Sequence, residues 1–154
     1  MPIRGKLEGG FEAKSSADMF WGALRNWYTL FPKAFTSVYK AVEVVEGDGK
    51  AVGSVFHVSI SEDSPFAKSV REKIEAVDDA KRTLIMDVAG IDENVFKIYK
   101  KYVLHVSVTP KGNGSEVKVA VEYENPTEND PVPTEFIDVE VQGFKDLDAY
   151  LQNK

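Results

Sequence analysis

The feature that most constrains this chain is a succession of period-two segments joined by short turns and closed by one long amphipathic stretch. In residues 3–13, Ile3, Leu7, Phe11 and Ala13 share a face with Gly5 and Gly9, while Arg4, Lys6, Glu8 and Glu12 share the other. That alternation predicts a half-buried antiparallel strand. The same period returns at residues 38–46, 52–60, 69–77, 83–89, 95–109 and 116–124, seven strands in all. Turn-forming residues separate them, Gly47-Asp48-Gly49 and Pro110-Lys111-Gly112-Asn113-Gly114 most clearly. Such short connections permit only an antiparallel meander.

Two helical stretches interrupt the strand period near the start. Met19, Phe20, Ala23, Leu24 and Trp27 recur at helical spacing after Ser15-Ser16-Ala17-Asp18. Ser15 followed three places later by Asp18 resembles a capping box with aspartate in place of glutamate. A second short turn is expected through Leu30-Phe31-Pro32-Lys33-Ala34-Phe35, with Pro32 near its beginning. At the other end Phe136, Val139, Gly143, Phe144, Leu147, Tyr150 and Leu151 form one broad helical stripe, with Glu135 in the first turn.

The apolar face of the meander must be covered, and only the last helix is long enough to cover it. A helix is about 10–12 Å across, narrower than a twisted seven-stranded sheet. A sheet curled round that helix leaves an apolar hollow of the kind small molecules occupy. The expected fold is therefore α+β: a seven-stranded curved antiparallel sheet around a long C-terminal helix, with two short helices after strand 1, in one domain over residues 1–154. Gly143, inside the helical stripe, reads first as a close packing contact and second as room for a ligand.

Composition narrows the function. The chain of 154 residues is 43% hydrophobic and 29% charged, enough to bury a core. Its 19 basic and 25 acidic residues leave a net charge of −6, which disfavours nucleic acid and anionic membrane surfaces as partners. There is no cysteine, hence no disulfide, thiolate metal site or cysteine nucleophile. His57 and His105 stand far apart in sequence, which argues against a histidine metal centre. No metal or other cofactor is expected. Residues 1–6 lack the apolar core of a signal peptide and no apolar run approaches membrane-spanning length, so a soluble cytoplasmic protein is expected.

Several segments together resemble a known family. They are Leu30-Phe31-Pro32-Lys33-Ala34, Glu46-Gly47-Asp48-Gly49-Lys50-Ala51-Val52-Gly53-Ser54, Ser64-Pro65-Phe66, Ile74-Glu75-Ala76-Val77-Asp78, Tyr99-Lys100 and Phe144-Lys145-Asp146-Leu147-Asp148-Ala149-Tyr150-Leu151. Their order and spacing resemble the plant major latex protein-like branch of the birch-pollen-allergen and pathogenesis-related superfamily, with its START-like helix-grip fold. The resemblance implies binding of small apolar or amphipathic molecules in a central cavity, among them sterols, flavonoids and cytokinins. It also implies roles in defence, stress and transport. Some relatives are condensing, cyclising or isomerising enzymes of specialised metabolism.

Strand and helix periodicity nominates the ligand-binding wall: Phe20, Leu24, Phe56, Val58, Ile60, Val70, Glu72, Leu84, Met86, Val88, Ile98, Tyr102, Leu104, Phe136, Val139 and Gly143, with Phe31 and Phe66, the latter near the loop after strand 3, expected at the cavity mouth. Plain core packing is the competing reading for each. Ala76 is expected inward with Val70, Glu72 and Ile74. Glu72, Lys100 and Tyr102 are the polar exceptions on apolar rows, costly there unless paired or wet, and are the candidates for acid–base chemistry. The glycine-rich loop Gly47, Gly49 and Gly53 has amides suited to an anion, but Lys50-Ala51 and a strand follow where a nucleotide loop needs Lys-Ser/Thr and a helix. Alternation turns Lys118 outward, whereas the synthase relatives carry a cavity lysine at what looks like this position. A strand bulge would reconcile the two.

The resemblance places Asp148 and Tyr150 where some relatives are claimed to cleave RNA. Asp148 replaces that pattern's glutamate and Ile98 its strand acid, which with the net charge disfavours ribonuclease activity. Neither gate motif of the hormone-receptor relatives is present. Three functions remain: a binder of a small hydrophobic plant metabolite, a cyclase or isomerase of a terpenoid or alkaloid intermediate in the same cavity, and a scaffolding partner acting through its surface.

Overall fold

Alternation along the strands turns one apolar row of each toward a common interior, and the chain folds to satisfy all the rows at once. The structure is a computed structural model and describes residues 3–61, 69–90, 101–125 and 134–153. β1 (Ile3–Ala13) leads into α1 (Ala17–Arg25) and α2 (Trp27–Ala34). Then come β2 (Tyr39–Glu46), β3 (Val55–Ile60), β4 (Ser69–Asp78), β5 (Thr83–Gly90), β6 (Lys101–Lys111), β7 (Gly114–Asn125) and α3 (Thr134–Gln152). The strands form one sheet in the order β1-β7-β6-β5-β4-β3-β2, with every neighbouring pair antiparallel. The meander runs from β2 to β7, and α1 and α2 carry the chain from one sheet edge to the other. This is the helix-grip arrangement of a curved sheet around a C-terminal helix.

The β6–β7 hairpin turns at Gly112 and Asn113, with Lys111 paired to Gly114 and Gly112 at φ +59°. That is the positive φ such a tight turn demands. Val117, Val119 and Val121 on β7 and Val106 and Val108 on β6 are buried, and their odd–even neighbours face out.

Three local expectations need correction. Ser16, not Ser15, caps α1: its hydroxyl accepts the Met19 amide at 3.2 Å. Ser15 is instead buried, donating its Oγ–H to Asp148. α2 begins at Trp27, so Pro32 falls in its last turn rather than its beginning. Trp27 and Phe31 both bury one turn apart, and that burial sets the start of the helix. On β4, a register shift against β5 between Ile74 and Ala76 leaves Glu75 as an extra residue. The bulge turns Ala76 to solvent and Val77 inward.

α3 is tied to the far end of the molecule. The buried Asp148 carboxylate accepts the Lys14 amide at 2.9 Å, the Ser15 amide at 2.9 Å and the Ser15 hydroxyl at 2.6 Å. Ser115 Oγ donates to the Ser15 carbonyl at 3.0 Å. The β1–α1 junction, the start of β7 and the end of α3 are thereby joined. α1 is held against the β4–β5 turn by Trp21 Nε1, which donates to Asp79 Oδ1 at 2.9 Å, and by Arg25 Nε at 3.0 Å from the same oxygen.

Candidate functional site

The inner face of the sheet meets α1, α2 and α3 through a dense set of aromatic rings. Trp27 packs on Phe56 with centroids 4.8 Å apart, Phe31 on Tyr39 at 5.0 Å and Phe31 on Phe144 at 5.7 Å. Phe11, Phe20 and Phe144 continue the chain of edge contacts. Gly143 belongs to this packing. A methyl group there would lie 2.7 Å from the Phe35 ring, so the helix backbone itself rests against that ring. The packing reading of Gly143 accounts for it.

These rings occupy much of the hollow expected beneath α3. A void of about 20 Å³ remains inside the grip. That is room for one water-sized group. Its walls are Leu24, Trp27, Phe31, Tyr39, Leu84, Met86, Leu104, Val106 and Phe144, together with two carboxylic acids, Glu72 and Glu140.

Glu72 reaches the void because strand alternation gives it no other direction. It lies between Val70 and Ile74 on β4, opposite Phe56 on β3 and Val88 on β5, all buried. The side chain is itself buried, and its Oε2 has no hydrogen-bond partner among the described residues. Burial pushes its carboxyl up to about 8, with the nearby Glu140 charge adding to the shift. Glu140, on α3, retains some solvent contact, and burial raises its carboxyl to about 7. The smaller rise fits the partial exposure. Tyr39 is raised well above its usual range, by burial first and then by the charges of Glu140 and Glu72. Around neutral pH the two acids thus hold at least one proton between them. A partly dry carboxyl in that state donates or accepts a proton readily.

Of the residues nominated from sequence, Leu24, Phe31, Glu72, Leu84, Met86 and Leu104 line this void. Phe20, Phe56, Val58, Val70, Val88 and Tyr102 are buried in the surrounding core. Ile60 and Val139 are half-buried against it. Phe66, Ile98 and Lys100 lie outside the described residues, as does the side chain of Phe136. Sequence reasoning missed Trp27, Tyr39 and Phe144 as lining residues, and above all Glu140. The signal for Glu140 was present: it stands one helical turn after Phe136 and one before Gly143 and Phe144, in the apolar stripe.

The glycine-rich loop is built differently from an anion cradle. Gly47, Gly49 and Gly53 all take positive φ. The Asp48 carboxylate, however, accepts the Lys50 and Ala51 amides at 2.8 and 2.9 Å, while Ser54 Oγ accepts the Gly49 amide at 3.1 Å. Those amide bonds hold the Asp48 carboxyl below its ordinary range. Lys50 Nζ donates to the Arg25 carbonyl at 2.7 Å, closing the C-terminal end of α1, and lies 5.3 Å from the Tyr28 ring centre. The loop fastens the helices to the sheet, and its Gly49, Lys50, Ala51, Gly53 and Ser54 amides are already taken.

On the opposite face, β1, β5, β6 and β7 bound an open depression of about 940 Å³. Glu8, Glu12, His105, Glu116 and Lys118 stand around it, and Gly10, Ser107 and Ala120 form part of its surface. Lys118 faces out here, 3.5 Å from Glu116, and the register runs unbroken through Val117, Lys118 and Val119, with no bulge to turn it inward. His105 Nε2 lies 3.2 Å from Glu122. Among the described residues no group of three or more acids and histidines is arranged to hold a metal. No helix among them is long and apolar enough to cross a membrane.

Residues 3–154 match the family described as the pathogenesis-related protein Bet v 1 family. The chain belongs to that family. It is 36% identical over 151 residues to MLP-like protein 423 of Arabidopsis thaliana, covering 98% of this chain and 96% of that one. Its fold matches ginseng major latex-like protein 151 from Panax ginseng with a TM-score of 0.84 at 24% identity, over 96% of this chain and 97% of that one. A point mutant of norcoclaurine synthase from Thalictrum flavum matches with a TM-score of 0.76 at 19% identity, over 99% and 98% of the two chains. The Bet v 1 family typically binds hydrophobic ligands.

Proposed function

We propose that this protein binds a small hydrophobic or amphipathic plant metabolite between α3 and the inner face of the sheet, and carries or stores it in defence or stress. The observation that supports this most is the buried Glu72 carboxyl, which faces, with an unpartnered oxygen, a void whose other walls are apolar and aromatic apart from Glu140. Folding alone disfavours such a group, and groups held at that cost cluster at functional sites. The existing void admits only a ligand's head, so the remainder enters by displacing side chains along the same apolar face. Affinity then comes mainly from burial, at about 25 cal/mol per Å² of apolar surface removed from water.

Titration with N-phenyl-1-naphthylamine, a neutral apolar fluorophore, tests the reading. The expected result is emission that saturates at one probe per chain, with quenching of Trp27 in a Trp21→Phe background. A linear, non-saturating response overturns it.

A second reading rests on the same acid. A carboxyl near 8 in a water-poor site suits proton transfer in a cyclisation or isomerisation of a terpenoid or alkaloid intermediate. Turnover of such an intermediate that survives Glu72→Gln would remove Glu72 from this role.

A further inference from the structure

We propose that Glu72 and Glu140 together seat a cationic head group, so that the ligand of this cavity is an apolar body carrying a protonated amine. The inference rests on the binding reading above and adds the chemistry of the ligand to it.

Four observations carry it. The two carboxyls arrive from different elements, β4 and α3, and line the same small void. Among the described residues, none lining that void is a lysine, arginine or histidine that would offset the charge of either acid. Among the described residues, the other titratable group lining the void with the pair is Tyr39 from β2, with the buried Tyr102 of β6 close enough to Tyr39 to influence it. A phenol can donate a hydrogen bond to a carboxylate, but it brings no positive charge. The third observation is size. A void of about 20 Å³ matches one water molecule or one ammonium group. The fourth is the nature of the walls: the rings of Trp27, Phe31, Tyr39 and Phe144 close in on the same space. Aromatic faces attract cations, and more strongly where water is excluded.

Carboxylates and aromatic rings around a water-sized void are what an ammonium group requires. A neutral hydroxyl would find an acceptor there, but it would leave the second acid protonated and the ring faces unused. An anion would be repelled. Binding an ammonium favours the ionised form of both acids, so the pair releases protons as the ligand enters. In atom terms, one or both carboxyl O–H bonds break, the protons leave to solvent, and the N–H donors of the ammonium take their place against the oxygens.

The test compares 2-phenylethylamine with 2-phenylethanol, which share one body and differ at the head. Calorimetry at pH 7.5 in two buffers of different protonation enthalpy measures affinity and proton release together. The amine should bind at least tenfold more tightly than the alcohol, as a desolvated charge pair in place of a neutral contact implies. Close to one proton should be released per amine. Below pH 7 amine affinity should weaken by more than tenfold per pH unit, approaching a hundredfold as both acids fill and two protons must leave, while alcohol affinity stays level. Glu72→Gln and Glu140→Gln should each remove most of the amine preference, lowering amine affinity far more than alcohol affinity. Glutamine keeps the shape and removes the charge, and thermal melting confirms that each variant folds. Equal binding of the two probes, an amine affinity flat in pH, or a preference that survives both substitutions overturns the inference. If N-phenyl-1-naphthylamine binds while the amine shows no advantage, only the ligand chemistry falls. If none of the three probes binds, the binding reading falls and this inference with it.

Discussion

The two faces of the sheet carry depressions of very different size, and the larger is the less informative. The outer one is about 940 Å³ and open, bordered by Glu8, Glu12, His105, Glu116 and Lys118. Those charges are solvated or paired: Lys118 with Glu116, His105 beside Glu122, and Lys111 with Glu12. Exposed pairs of this sort contribute little and cost little. The inner void is about 20 Å³, yet it is lined by two acids whose carboxyls burial raises to about 8 and about 7. Volume measures how the sheet bends. The free-energy cost of keeping a group in place points to what that group is for.

Substitutions on the two faces put this contrast at risk. Phe144→Ala removes a fully buried ring from the inner cluster and should lower stability by about 3–5 kcal/mol, read by chemical denaturation. A loss below about 1 kcal/mol would mean the interior is loose rather than packed. Asp148→Ala leaves the Lys14 and Ser15 amides without their acceptor at a buried junction and should cost about 2–3 kcal/mol. Glu72→Gln should do the reverse and stabilise the protein by roughly 1–3 kcal/mol at pH 8, because it removes a buried charge.

The sign of that last effect follows from proton linkage. With a folded value raised from 4.5 to about 8, Glu72 binds more protons folded than unfolded across that window. Its stability contribution is therefore favourable at low pH and lost as pH rises from about 4.5 through 8. Denaturation midpoints of the parent protein and Glu72→Gln should converge at pH 4 and separate at pH 8.

Gly143→Ala gains helix propensity but drives a methyl group into the Phe35 ring, for a net loss of about 1–2 kcal/mol. On the outer face, Lys118→Ala should change stability by less than about 0.5 kcal/mol and leave probe binding unaltered. An effect on binding there as large as that of Glu72→Gln would erase the distinction between the faces.

The fold was legible because strand and helix periods are local properties. Val117, Lys118 and Val119 announce inward, outward and inward positions without reference to the rest of the chain. Gly112 and Asn113 announce the hairpin in the same way. What stayed hidden depended on partners distant in sequence. Ser15 gives no sign that it will be taken by Asp148, 133 positions away, leaving Ser16 to cap the helix. Ala76 looked inward until the Glu75 bulge reversed the alternation. Glu72 stood out against its apolar row. Glu140 did not, because one acid in an amphipathic helix is unremarkable until the opposing strand is known to bring another. The filling of the hollow was equally non-local. Trp27, Phe31, Tyr39, Phe56 and Phe144 come from four elements of the chain, and only their convergence fills so much of the space beneath α3.

The most direct test of the central claim is a pH titration of the Glu72 side-chain carboxyl carbon by NMR, assigned by comparison with Glu72→Gln. Our account predicts a midpoint near 8 in the free protein, falling by at least one unit when 2-phenylethylamine is bound. A midpoint at the ordinary glutamate value near 4.5, unchanged by the amine, would contradict it.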